Sequence, residues 1–173
     1  MKKIRFYKVT HTYRLGKKQL TSVTTFIGKF FDKFDAKVIA RKLAKFPVNK
    51  AKKRGVRYWL REWKAASEYG TKVHNEIEEW IEHSEKPTDI KAIKGVEWLN
   101  SYLDFKAGTL CEAEKIIYDE ELGLAGTIDL LINRFEKGKL TVDLIDWKTN
   151  KKITTTGYGG KKGTHKLTKD MDD

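Results

Sequence analysis

Two aspartates in the second half of the chain sit where aspartate is least expected. Asp129 lies in Leu124-Ala125-Gly126-Thr127-Ile128-Asp129-Leu130-Leu131-Ile132, and Asp146 in Leu140-Thr141-Val142-Asp143-Leu144-Ile145-Asp146-Trp147-Lys148. Both runs read as strands, and Asp is a poor strand residue. An ionised carboxylate beside a buried surface is costly unless it is paired or bound to metal. On adjacent strands of a hairpin the two carboxylates can converge, and a divalent cation between them would remove their repulsion. The competing account is that each caps a turn, pairs with a Lys or faces water. Lys148 follows Asp146 by two residues, which predicts the same side of the strand. The tripeptide alone carries no signal. Five acid-x-Lys triplets occur, starting at Asp35, Glu62, Asp89, Asp104 and Asp146, against about four expected by chance. Only the last ends an apolar run that follows another strand Asp.

A fourth group lies upstream, in Gly70-Thr71-Lys72-Val73-His74-Asn75-Glu76-Ile77-Glu78. His74 and Glu78 are four apart and share a helix face. A lone His there is more often a hydrogen-bonded core residue than a metal ligand, though imidazole fits either role, and two strand Asp and a Lys beside it shift the balance toward the ligand.

The elements that must position these groups follow from pattern. Ile4–Val9 and Tyr13–Leu15 predict short strands, with 15–18 as a turn. Thr21 and Ser22 are expected to cap a helix reaching Phe31, and Asp35 a second helix stopped at Pro47. Residues 50–55 are a basic run and an expected loop. A helix is predicted over 56–83 with a weak point at Gly70, its second half marked by Val73, Ile77, Trp80 and Ile81 at helical spacing. Pro87 is expected to open another helix to Lys106. Strands are then predicted at 115–119, 124–133 and 139–147, joined by turn sequences. The order, helices then an antiparallel meander, is α+β. The tail 149–173 has no sustained apolar period.

Length predicts one domain. One Cys excludes an internal disulfide and a four-Cys metal cluster. No apolar run is long enough to span a membrane and the start lacks a secretory apolar region, so a soluble intracellular protein is expected. The formal charge of +12 is uneven: residues 1–64 carry +17, 65–147 carry −9 and 148–173 carry +4. A purely electrostatic nucleic-acid binder gains nothing from acid near phosphates, so the acidic middle needs another reason, and metal binding is one. Lys52, Lys53, Arg54, Arg57, Tyr58 and Arg61 mix cations with aromatics, as single-strand stacking grooves do. An amphipathic helix with Trp59 in the core accounts for the same residues.

Together these segments resemble the RecB-like branch of the PD-(D/E)xK nuclease superfamily, with phage and mitochondrial-genome-maintenance exonucleases as the nearest type. Gly70-Thr71-x-x-His74 is similar to the first motif, Ala125-Gly126-Thr127-Ile128-Asp129 to the second, and Ile145-Asp146-Trp147-Lys148-Thr149 to the third. Glu114 matches a Glu often found ahead of the second motif, and the stretch 13–24 resembles the start of phage members. The similarity covers roughly residues 4–150. It implies a restriction-endonuclease-like core with an N-terminal helical region and a three-stranded antiparallel meander. Residues 1–64 would be a basic DNA-guiding region, 65–150 the catalytic core and 151–173 a flexible or incomplete tail. It implies Mg²⁺ or Mn²⁺ held by His74, Asp129, Asp146 and the Trp147 carbonyl, with Lys148, Asp146, Asp129 and Glu114 catalytic. Lys52, Lys53, Arg54, Arg57, Tyr58, Arg61, Thr71 and Thr149 would contact DNA. The implied activity is a metal-dependent deoxyribonuclease, an exonuclease on single-stranded or end-containing DNA, serving repair or recombination in the cytoplasm of a bacterium or phage-infected cell rather than in a mitochondrion.

One family feature has no counterpart. The branch places a Gln-x-x-x-Tyr helix and a last strand after the third motif. Here the sole Gln is Gln19, and 25 residues follow Lys148. The C-terminal part of the core is therefore expected to be missing or completed by a partner. Leu130, Ile132, Leu144 and Trp147 are then expected to be partly uncovered, and a homo-oligomer or protein partner to form through the sheet. Two other readings stay open: a non-catalytic nucleic-acid-binding module of degenerate fold, and a protein that acts on a nuclease or recombination factor.

Overall fold

The computed structural model describes residues 3–30, 34–103, 109–136 and 138–150. It is a mixed α+β fold in which one six-stranded sheet meets two packed helices. The chain opens with β1 (Ile4–Tyr7), β2 (Thr12–Leu15) and β3 (Lys18–Ser22), an antiparallel meander. The β2–β3 turn uses Gly16 at φ +61°, the left-handed region open to glycine. β3 is the main departure from expectation. Thr21 and Ser22 finish a strand, and Ser22 then caps the short α1 (Val23–Ile27) by accepting from the Thr25 amide. The polar run Lys18-Gln19 hides the strand, which is specified by its pairing with Tyr13 and Leu15 rather than by its own periodicity. A 3₁₀ turn (Gly28–Phe30) follows; the expected end of this helix at Phe31 lies outside the described residues.

Asp35 caps α2 (Ala36–Lys45) through the Val38 amide, as expected. Pro47 ends it by holding Phe46 extended, and also starts α3 (Pro47–Ala51), where a missing N–H costs nothing. The basic run is thus helical in its first two residues. α4 (Val56–His83) runs unbroken through Gly70 and through the expected division at residue 64. Its Val73 and Ile77 pack on Ala92 and Val96 of α5 (Ile90–Tyr102). Gly95 permits that approach, since a Cβ there would stand 2.9 Å from Ile77 Cδ1. α5 starts three residues beyond Pro87, because Asp89 is the residue that caps it. The expected extension to Lys106 lies outside the described residues.

β4 (Leu110–Asp119), β5 (Leu124–Glu136) and β6 (Lys139–Ile145) form the expected meander. It does not stand alone: β3 pairs parallel with β5 at Leu124 and Ala125. β5 therefore has β4 along one edge, while its other edge is shared by β3 at one end and β6, from Leu130 onward, at the other. Residues 126–129 have neither beside them. Leu130 and Ile132 are fully buried under Leu99 and Leu103, contrary to expectation, because α5 covers that end of the sheet. Leu144 is 65% exposed and Trp147 half-buried. Among the described residues no helix is long and apolar enough to cross a membrane. The tail 151–173 lies outside them.

Candidate functional site

The uncovered stretch of β5 ends at Asp129, and the chemistry gathers there. If β6 kept its register one residue further, Asp146 would stand opposite Asp129. Like charges directly opposite are destabilising. The strand instead ends at Ile145, and the Trp147 amide donates to Asp129 Oδ2 at 2.7 Å. This corrects the placement of Asp146 and Lys148, which lie just past the strand. Their side chains are 64% and 50% exposed and form an ion pair with each other.

Asp129 Oδ2 also lies 3.6 Å from His74 Nδ1 on α4. Glu114 of β4 completes a group whose ligand atoms all fall within 4.8 Å of one another: His74, Glu114 and Asp129. Asp146 is not part of that group, and it is the Trp147 N–H that faces Asp129. Glu114 stands opposite Asp129 in the β4–β5 register, but the pairing is interrupted there and Glu114 has φ +44°. A non-glycine residue in that region costs on the order of 1–3 kcal/mol. Ala125 and Leu130, of opposite parity, are both buried, and the irregularity lies between them.

His74 and Glu114 line a cleft of about 800 Å³. One wall is α4, with Gly70, Thr71, Asn75 and Glu78; the other is the β1–β2 hairpin, with Phe6, Lys8 and His11; Ile116 and Thr127 belong to the sheet. The cleft crowds carboxylates. Burial first, then the charges of Glu78 and Asp129, push the Glu114 carboxyl above its usual range, and His74 and Lys8 partly offset this. Burial also raises Glu78, with Glu82 adding to the effect and Lys8 opposing it. An imidazole and two carboxylates form a hard, mixed N/O donor set suited to Mg²⁺ or Mn²⁺, so the residues fit the implied metal.

The segment after β6 is fixed at several points. The Trp147 ring meets Trp98 edge-on at 5.8 Å. Lys91 Nζ donates to the Thr149 carbonyl at 2.5 Å, and its ammonium lies over the Tyr69 ring. Thr149 Oγ1 lies where a side chain at position 70 would begin, 3.2 Å from a Cβ built there. Gly70 is thus a close-approach residue rather than a helix break. Thr71 hydrogen-bonds back to the Ser67 carbonyl and lines the cleft.

The other expected DNA contacts lie further along. Lys52 and Lys53 are exposed between α3 and α4, and Arg54 covers the Tyr58 ring at 5.3 Å. Arg57 and Arg61 are exposed on the first turns of α4. Trp59 is half-buried and packs with Tyr58 and Trp63. From Arg61 to His74 the helix rises roughly 20 Å, so this basic end lies outside the cleft. Lys8, His11 and Lys91 carry no motif in the sequence; only the β3–β5 pairing and the α4–α5 contact bring them here.

The chain matches no protein-family profile, no curated protein and no solved structure.

Proposed function

We propose that the protein is a metal-dependent DNA phosphodiesterase of the PD-(D/E)xK type, RecB-like branch, acting as an exonuclease on single-stranded or end-containing DNA. One observation carries this reading. His74, Glu114 and Asp129 come from a helix and two strands, yet their donor atoms meet within 4.8 Å, His74 and Glu114 line a cleft, and Asp129 accepts from the amide of Trp147, the residue between Asp146 and Lys148.

A bound Mg²⁺ or Mn²⁺ supplies a nucleophile at neutral pH and stabilises charge on the phosphate. The chain's own residues do the rest. His74, Glu114 and Asp129 would hold the ion, which would offset the burial and the carboxylate repulsion that together raise the Glu114 pKa. Asp129 also pins the Trp147 amide, so the ligand that binds metal positions the next residue, Lys148. Lys148 Nζ, now shared with Asp146, offers a proton donor and positive charge to the attacking water and the phosphate. The basic end of α4 draws the strand toward the cleft.

A second reading rests on a specific observation. Asp146 and Lys148 are exposed and engaged with each other rather than with the three-residue group. A non-catalytic nucleic-acid-binding module accounts for that as well. Incubating the chain with labelled single-stranded and duplex DNA, in Mn²⁺ and in EDTA, separates the two. The nuclease cleaves only with the ion, and Asp129→Ala abolishes cleavage. Equal binding in both buffers with no cleavage supports the binding module.

A further inference from the structure

The β1–β2 hairpin has no role in the chemistry above, yet its turn forms the wall of the cleft facing α4. Lys8 and His11 bound a four-residue turn between Tyr7 and Thr12. Both line the cleft with Phe6. Three contacts tie the turn to the sheet beside the metal-ligand group. His11 meets the Phe6 ring edge-on at 5.1 Å, Phe6 stacks on Tyr13 at 4.7 Å, and the Tyr13 hydroxyl bonds the Thr127 hydroxyl at 2.8 Å. Thr127 is two residues from Asp129. His11 sits at φ +50°, in the left-handed region where His, with Asn and Asp, is among the commoner non-glycine residues. Lys8 is exposed, and among the described residues no hydrogen bond or ion pair engages its amine. Its charge nevertheless reaches both Glu78 and Glu114 across the cleft.

Lys8 thus brings a cation to the wall opposite α4 of a cleft lined by Glu78 and Glu114, and with no hydrogen bond or ion pair among the described residues it can meet an anion there that the carboxylates alone would repel. A phosphate lying between the two walls fits that description. The cleft volume falls in the ~300–1,000 Å³ range of small-ligand pockets. A cleft of that size takes a small ligand or a short stretch of one strand.

Resting on the phosphodiesterase reading, we propose that the β1–β2 turn is the second wall of a single-strand groove. Lys8 Nζ donates to a backbone phosphate of the strand, and His11 offers its ring to the same strand. The turn thereby selects one strand over two.

The test is fluorescence anisotropy of the full chain with a labelled oligothymidine and with a duplex of equal length, titrated with NaCl in EDTA, beside cleavage in Mn²⁺. Lys8→Gln is expected to weaken single-strand binding about tenfold and to flatten the log–log salt slope by about 0.7, the value of one lost phosphate contact. Lys8→Arg restores both. His11→Asn, which tolerates the positive φ, weakens single-strand binding several-fold with an unchanged melting temperature. Duplex binding is the same in all variants. If the parent chain cleaves DNA but Lys8→Gln keeps its affinity and slope, the groove assignment is wrong and the nuclease reading stands. If the parent chain binds oligothymidine without cleaving, and Lys8→Gln shows the expected loss, the groove stands and the nuclease reading falls. A parent chain that binds neither DNA overturns both.

Discussion

Adding one methyl at Gly70 separates stability from activity. Gly70 lies inside α4, where Ala is favoured over Gly by about 1 kcal/mol. The new Cβ would stand 3.2 Å from Thr149 Oγ1, a few tenths of an ångström too close, with no other contact within 4 Å among the described residues outside the helix's own backbone and the flanking residues. The neighbour is a hydroxyl at the end of a rotatable bond, so the contact is relieved by a small shift of Thr149. Most of the helix gain should survive, and a gain just under 1 kcal/mol raises Tm by roughly 2–4 °C in a domain of this size. The shift is not free for the site. Lys148 lies between the pinned Trp147 amide and the Thr149 carbonyl held by Lys91. A 1 Å misplacement costs on the order of a hundredfold in rate, so a few tenths should cost about three- to fourfold. Gly70→Ala is therefore expected to melt higher and turn over about three- to fourfold more slowly on single-stranded DNA, with KM unchanged. Thr149→Ala added to it should recover turnover to the level of Thr149→Ala alone. Calorimetry and steady-state cleavage in Mn²⁺ check both halves. A lower Tm would refute the claim that Thr149 yields; a higher Tm with undiminished kcat would refute the claim that this segment sets Lys148.

Glu114 is held at φ +44°, so Glu114→Gly should be more stable than Glu114→Ala by about 1 kcal/mol, while both lose Mn²⁺ binding by isothermal calorimetry; equal urea midpoints would count against backbone strain there. The folded chain raises the Glu78 and Glu114 pKa values, burial being the first cause, so each binds more proton folded than unfolded. Their contribution to metal-free stability should therefore be greatest below the ordinary Glu range and be lost as pH rises through it toward the folded values, whereas Glu76 and Asp89, lowered mainly by hydrogen bonds from backbone amides, contribute with the opposite sign. Thermal melts of the parent chain and Glu114→Gln in EDTA isolate the Glu114 part: Glu114→Gln should gain relative to the parent as pH rises over that interval, and a relative loss would reverse the sign of the argument. Asp146→Ala and Lys148→Ala should change stability by less than about 0.5 kcal/mol, since an exposed ion pair contributes little, yet abolish cleavage. Full turnover by purified Lys148→Ala would remove it from the mechanism.

Local chemistry made much of the framework legible before any coordinates. Asp35 and Asp89 cap helices because a short carboxylate reaches the free amides of a first turn, and Asp35 could be read directly. Val73, Ile77 and their neighbours repeat at the helical period because one face of α4 is buried. The three C-terminal strands were readable because apolar runs alternate with turn sequences. His74 and Asp129 were singled out by residue type and context, Glu114 only by the resemblance. What the sequence did not hold was anything that depends on contacts between distant segments. β3 has too polar a run to be seen alone and exists through β2 and β5. The end of β6 is decided by one carboxylate, Asp129, which takes the Trp147 amide and avoids a facing Asp146; no periodicity reports that. Gly70 looked like a weak point because the mate that requires its missing side chain, Thr149, lies seventy-nine positions away. Residue types announce which chemistry a chain can do, since charge and donor atoms belong to single side chains. Where that chemistry is done depends on pairings such as β3 with β5, which join segments about a hundred residues apart and leave no local trace.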